Sequence, residues 1–125
     1  YVNFTVNTPV QYGLADFLQS SPEHHLQLAN FYQAKRDLFC TLLAPSKFKI
    51  TPAAGTYFQL LDYSDISDEL DLSLAERWTK ELGIASIPIS VFYQDPSQCA
   101  HQALRFCFAK DDDTLKRAAE ILCKL

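Results

Sequence analysis

In residues 103–108, Ala-Leu-Arg-Phe-Cys-Phe, bulky apolar side chains alternate with small or charged ones. A β-strand with this pattern puts Leu104, Phe106 and Phe108 on one face and Ala103, Arg105 and Cys107 on the other. The three large groups belong in a core, so Arg105 stands on the opposite face between small neighbours, with room around its guanidinium. A planar guanidinium fork recognises a carboxylate through two parallel, charge-assisted hydrogen bonds. From the strand alone, the plainer alternative is an arginine on a solvated sheet face.

The other reactive side chains form weaker patterns. Cys40, Cys99, Cys107 and Cys123 include no Cys-x-x-Cys, and most have apolar neighbours. They read as reduced core thiols rather than as disulfides or ligands. Cys99 and His101 make a Cys-x-His pair, but two ligands fall short of a zinc site, and His24-His25 lack the helical i, i+4 spacing. No metal is expected. The acidic stretch over residues 62–71 reads as a solvated loop, since the spacing and central glycine of a calcium loop are missing.

The chain has 125 residues, 48% of them hydrophobic and 21% charged, which fits one domain with a real core. The net charge of −4 and the scattered basic residues give nucleic acid no electrostatic footprint. With three glycines, the chain has no phosphate-cradling glycine loop. No run approaches the roughly 18 apolar residues that a membrane span needs. Composition points to a soluble, cytoplasmic domain. The chain opens at Tyr1 and contains no methionine, so it does not start where a translated gene starts, and a mature product or a piece of a longer protein is expected.

The elements that must position Arg105 are clearly signalled. Thr8-Pro9-Val10-Gln11 reads as a capping box with proline at the first helical position, opening a helix to about Leu18. Ser21-Pro22-Glu23 begins a long helix with an apolar face of Leu28, Phe31, Tyr32, Leu38, Phe39, Leu42 and Leu43, stopped by Pro45. Strands are expected at 48–50 and 56–63, and a helix from the capping box Ser73-Leu74-Ala75-Glu76 to Gly83. A short strand at 84–87, the strand at 103–108 and a last helix behind Asp111-Asp112-Asp113 complete the order. The fold class is α/β in the two-layer α+β sense: a small mixed or antiparallel sheet with helices mainly on one face.

Four segments carry a family resemblance: YVNFTVNTPVQ at 1–11, AAGTYFQLLDY at 53–63, GIASIPISVFY at 83–93 and LRFCFAKD at 104–111. In this order and spacing the chain resembles the C-terminal third of a pyridoxal-phosphate aminotransferase of fold type I, class I/II. The likeness is nearest to methionine aminotransferases, then to kynurenine aminotransferases. The resemblance implies that Arg105 grips the carboxylate of amino-acid and 2-oxo-acid substrates. It also implies that Phe4 and Thr5 reach across a homodimer interface, and that Tyr57 and Ile89 lie near the substrate pocket. Ile89 stands where many relatives have glycine. Residues 1–20 would form an interdomain and dimer-contact segment, and 21–125 the small domain.

The same resemblance puts the family's Schiff-base lysine, ring-nitrogen aspartate and phosphate-binding residues upstream. None of Lys35, Lys47, Lys49, Lys80, Lys110, Lys116 and Lys124 lies in the Ser-x-Lys setting of that motif. Pyridoxal phosphate is therefore expected in the full-length enzyme and not on this chain alone, which should hold no catalytic residue. The competing readings are a non-catalytic binding module that keeps this fold, or an interaction protein whose acidic loop meets a basic partner.

Overall fold

The computed structural model describes residues 5–125. The chain divides into two compact units, Tyr1–Phe31 and Tyr32–Leu125. In the first unit, helix α1 (Thr8–Ser20) is capped by Asn7, whose side chain accepts a hydrogen bond from the Val10 N–H at 3.3 Å. The capping box expected at Thr8 thus moves one residue upstream, because the Asn7 amide oxygen reaches the third helical N–H. Gln11 turns back to donate to the Val6 carbonyl at 3.1 Å. No residue of α1 is buried.

Helix α2 (His24–Leu43) carries the chain into the second unit, where Phe39 and Leu43 are buried and Tyr32, Leu38 and Leu42 pack against the core. Phe31, expected on the apolar face, is exposed. Strands β1 (Lys49–Ile50), β2 (Phe58–Asp62), β3 (Ile87–Pro88) and β4 (Ala103–Cys107) form one sheet in the order β1-β2-β4-β3. Every pairing is antiparallel, so of the two arrangements expected the sheet takes the antiparallel one. Proline is tolerated in β3 because that strand is an edge.

Helices α3 (Asp71–Leu82) and α4 (Asp112–Leu122) bury Leu74 and Trp78, and Leu115 and Leu122, in the same cluster as Leu61, Leu104 and Phe106 of the sheet. The Phe48 ring meets Trp78 edge-on at 5.9 Å, tying the approach to β1 into this layer. Gly83 ends α3 in the left-handed region at φ 68°, where a side chain would be strained. Asp112 and Asp113 place negative charge in the first turn of α4 as expected, and Asp111 caps it, accepting from the Thr114 N–H at 2.7 Å.

Three expectations need correction. Helix α3 begins at Asp71, so Ser73 lies inside it rather than capping it. The acidic stretch is not simply solvated: Asp71 is 7% exposed, and Glu69 and Asp65 pair with Arg77 and Lys49. The cysteines are all free, but none is a fully buried core thiol: Cys40, Cys99 and Cys123 are half-buried, and Cys107 is exposed because strand alternation turns it to the outer face.

Candidate functional site

The register of the central ladder decides what surrounds Arg105. Leu60 of β2 and Ile87 of β3 stand opposite it, and Phe58 is paired with Cys107. With a period of two, Phe58, Leu60, Ile87, Arg105 and Cys107 share the sheet face that the helices leave open. Leu104 and Phe106 point the other way into the core.

Arg105 is half-buried. Its guanidinium carbon lies 4.5 Å from the centre of the Phe58 ring and 5.0 Å from that of Phe92. Two aromatic faces thus hold the cation in place by their quadrupoles. Among the described residues the Arg105 N–H groups make no hydrogen bond and no ion pair, unlike Arg36 and Arg77, which bind Asp37 and Glu69. A cation so positioned, with its fork unused, is set up to receive an anion from outside.

An open cleft of about 420 Å³ leads to it, lined by Tyr57, Phe58, Ala85, Ser86, Ile87, Arg105, Cys107 and Lys110. Two cations and no carboxylate line this cleft, so it favours a negatively charged ligand. The Ser86 hydroxyl oxygen is out of reach of solvent and has no hydrogen-bond partner among the described residues, so it lies behind the cleft surface rather than on it. A neighbouring hollow of about 590 Å³ on the same sheet face is lined by Leu60, Ile89, Phe92 and His101 among others.

The connection that delivers Tyr57 is held from two sides. Gln59, only 1% exposed, accepts from the Ala53 N–H at 2.9 Å and donates to the Thr51 carbonyl at 2.7 Å. Arg36 donates to the Ala53 carbonyl at 2.8 Å. Thr56, next to Tyr57, adopts φ 71°. A β-branched residue in that region is strained, and such strain persists where the surroundings over-determine it.

The sequence-derived site residues divide accordingly. Arg105 and Tyr57 line one cleft. Ile89 lines the adjacent hollow, and Phe92 joins the two by lining that hollow while covering the Arg105 guanidinium. Thr5 belongs to the first unit, where it is exposed and its hydroxyl donates to the Val6 carbonyl. Phe4 lies outside the described residues. Sequence reasoning missed Phe58, Phe92, Ser86 and Lys110. Alternation along β2 reaches Phe58 from Leu60, whereas Phe92 sits in the short 3₁₀ turn Ser90–Phe92, which has no such period.

Cys99 and His101 form no metal site: the thiol faces the His101 carbonyl at 3.6 Å, and no cluster of three potential ligands exists among the described residues. No helix among them is long and apolar enough to cross a membrane.

Comparison with known proteins gives this geometry a context. The family model for aminotransferase class I and II matches residues 2–122. The chain is 47% identical to a methionine aminotransferase of Escherichia coli over 125 residues, which are 100% of this chain and 32% of that protein. It is 34% identical over 144 aligned residues to a kynurenine–oxoglutarate transaminase of Dictyostelium discoideum, covering 100% of this chain and 33% of the other. Among solved structures, a methionine aminotransferase of Escherichia coli superposes with a TM-score of 0.87 at 47% identity, covering 100% of this chain and 32% of that one. An N-succinyldiaminopimelate aminotransferase of Mycobacterium tuberculosis superposes with a TM-score of 0.84 at 28% identity, with coverages of 99% and 32%. The chain thus spans about a third of the length of the relatives it matches.

Proposed function

The chain belongs to the aminotransferase class I and II family, and we propose that it supplies the substrate-carboxylate clamp of a transaminase acting between an amino acid and a 2-oxo acid. The observation that carries this reading is Arg105: a half-buried guanidinium between two aromatic rings, facing a cleft without carboxylates. The α-carboxylate is the group that amino donor and 2-oxo acceptor have in common, so one arginine serves both halves of such a reaction. Tyr57 in the cleft, and Ile89 and Phe92 beside it, form apolar walls suited to a side chain of methionine or aromatic type.

The family implies pyridoxal phosphate. This cofactor supplies an electron sink for bonds at the substrate's α-carbon, and it needs a lysine, a carboxylate at its ring nitrogen and several phosphate donors. The Arg105 cleft offers Lys110 but no carboxylate. Its residues do not fit the cofactor, and we assign the cofactor site to protein outside this chain.

Residues 1–20 are assigned to contacts with further protein and 21–125 to the small domain, with Phe4 and Thr5 reaching a partner subunit in a homodimer. Exposure of Val10, Leu14, Phe17 and Leu18, which share one face of α1 at i, i+4, i+7 and i+8, supports such a contact, because a contiguous exposed apolar patch marks an interface. Four free cysteines suit a reducing, cytoplasmic setting.

Reductive trapping tests the division of labour. This chain is incubated with pyridoxal phosphate, reduced briefly with hydride and mapped by mass spectrometry. The expected result is scattered, substoichiometric labelling. One lysine labelled stoichiometrically would place the cofactor site within the chain and overturn the assignment.

A further inference from the structure

The two rings that hold Arg105 are themselves held very differently. Phe58 is part of β2, and the antiparallel ladder to β4 fixes its register against Arg105. Phe92 sits at the end of the 3₁₀ turn Ser90–Phe92 and is 63% exposed, so burial in the core does not fix it. The turn closes on itself through the Phe92 N–H to the Ile89 carbonyl at 3.1 Å and the Tyr93 N–H to the Ser90 carbonyl at 3.0 Å.

The β3 ladder ends at Pro88, two residues before the turn, and the side chain that ties the turn itself to the rest of the unit is Asp71. One carboxylate oxygen accepts from the Ser90 N–H at 2.7 Å, and the other accepts from the Ser90 hydroxyl at 2.7 Å and the Leu72 N–H at 2.8 Å. Asp71 is 7% exposed and makes no ion pair among the described residues. A carboxylate this buried is costly unless hydrogen-bonded, and here the Ser90 donors and its place in the first turn of α3 offset that cost. The pair therefore joins α3 to the 3₁₀ turn at one defined point, two residues before the ring that covers the guanidinium.

We propose that Asp71 is a positioning residue for the Arg105 site: through Ser90 it sets the turn that lays Phe92 over the guanidinium and so aims the carboxylate fork. This rests on the reading of Arg105 given above. Asp71 touches no substrate, and its effect passes through Ser90 and Phe92.

The test uses the holoenzyme of the full-length protein that contains this chain. Steady-state constants are measured for methionine and for methylthiopropylamine, the same side chain without the carboxylate. Asp71→Asn, Ser90→Ala and Phe92→Leu are each expected to raise KM for methionine by about three- to tenfold, the scale of a lost cation–π contact. They should lower the preference for methionine over the amine, with kcat moving less. Ser90→Thr, which keeps the hydroxyl, is expected to restore the wild-type preference. Should Asp71→Asn fail to fold by circular dichroism, Ser90→Ala and Phe92→Leu still decide the matter.

Arg105→Lys separates the carboxylate clamp from the positioning of that clamp. If Arg105→Lys loses methionine selectively while the Ser90 and Phe92 variants affect both compounds equally or not at all, the positioning role is refuted and the clamp stands. If Arg105→Lys shows no selective loss, the clamp itself falls and the positioning role falls with it.

Discussion

On the helix-covered face of the sheet Leu61, Leu104 and Phe106 are at most 5% exposed, whereas on the opposite face Leu60 and Ile87 are 45% and 41% exposed around a half-buried cation. Both faces are built from the same strands, and on β4 they alternate residue by residue. Leu104 and Phe106 supply transfer free energy and packing, while Arg105 and Cys107 face the open side, and only Ala103 at the start of the strand is buried on that side. The separation means that an arginine can be held rigidly by a strand whose stability does not depend on it. Substitutions along β4 should accordingly split into two classes with little overlap.

The largest effect on stability is expected on the inner face. Phe106→Ala should cost about 3–5 kcal/mol in urea unfolding of this chain, because it removes a buried ring and leaves a cavity. Cys107→Ala, one residue away and exposed, should stay within about 0.5 kcal/mol. Equal losses at both positions would break the comparison.

A smaller effect belongs to the support beneath Tyr57. Gln59→Ala leaves the Ala53 N–H and the Thr51 carbonyl without their partner. It should cost about 0.5–1.5 kcal/mol, the net worth of a typical hydrogen bond, since Thr51 is exposed and Ala53 half-buried, and should raise amide exchange at Ala53. Unchanged exchange there would show that Arg36 alone holds the connection.

The most subtle expectation is a pH dependence on the core side. Burial, helped by the Asp71 charge, pushes the Tyr63 hydroxyl from 10.0 up to about 12. The fold thus favours neutral tyrosine. The stabilising contribution is complete below the unfolded value and lost as pH rises from about 10 toward 12. Stability should fall over that window more steeply in the wild type than in Tyr63→Phe. Identical slopes would contradict this.

Much of this organisation was legible in the chain itself. Alternation in 103–108 separates Leu104 and Phe106 from Arg105 correctly, because a period of two is a local property of the strand. The order of helices and strands is likewise local, carried by Pro9, Pro45, Gly83 and Asp111. Contacts between distant segments leave no such trace. Asp71 sits in an acidic run that looks solvated, and only its pairing with Ser90, nineteen residues on, makes it a buried anchor. Phe92 is likewise placed by tertiary structure rather than by sequence period. Ile89 drew its assignment from resemblance, and it lines the hollow beside the Arg105 cleft rather than the cleft itself.

The central claim is that Arg105 is the carboxylate clamp. Its most direct test is kcat/KM for Arg105→Ala and Arg105→Lys in the full-length protein, measured with an amino acid, a 2-oxo acid and an amine lacking the carboxylate. Losing a buried charge partner costs about 2–5 kcal/mol. That is roughly one and a half to three and a half decades for Arg105→Ala on both carboxylate substrates. Arg105→Lys should also lose on both, because it keeps the charge without the fork, and the amine should be nearly unaffected. Unchanged kcat/KM for amino acids in Arg105→Ala would contradict the account and return Arg105 to the status of a cation on an open sheet face.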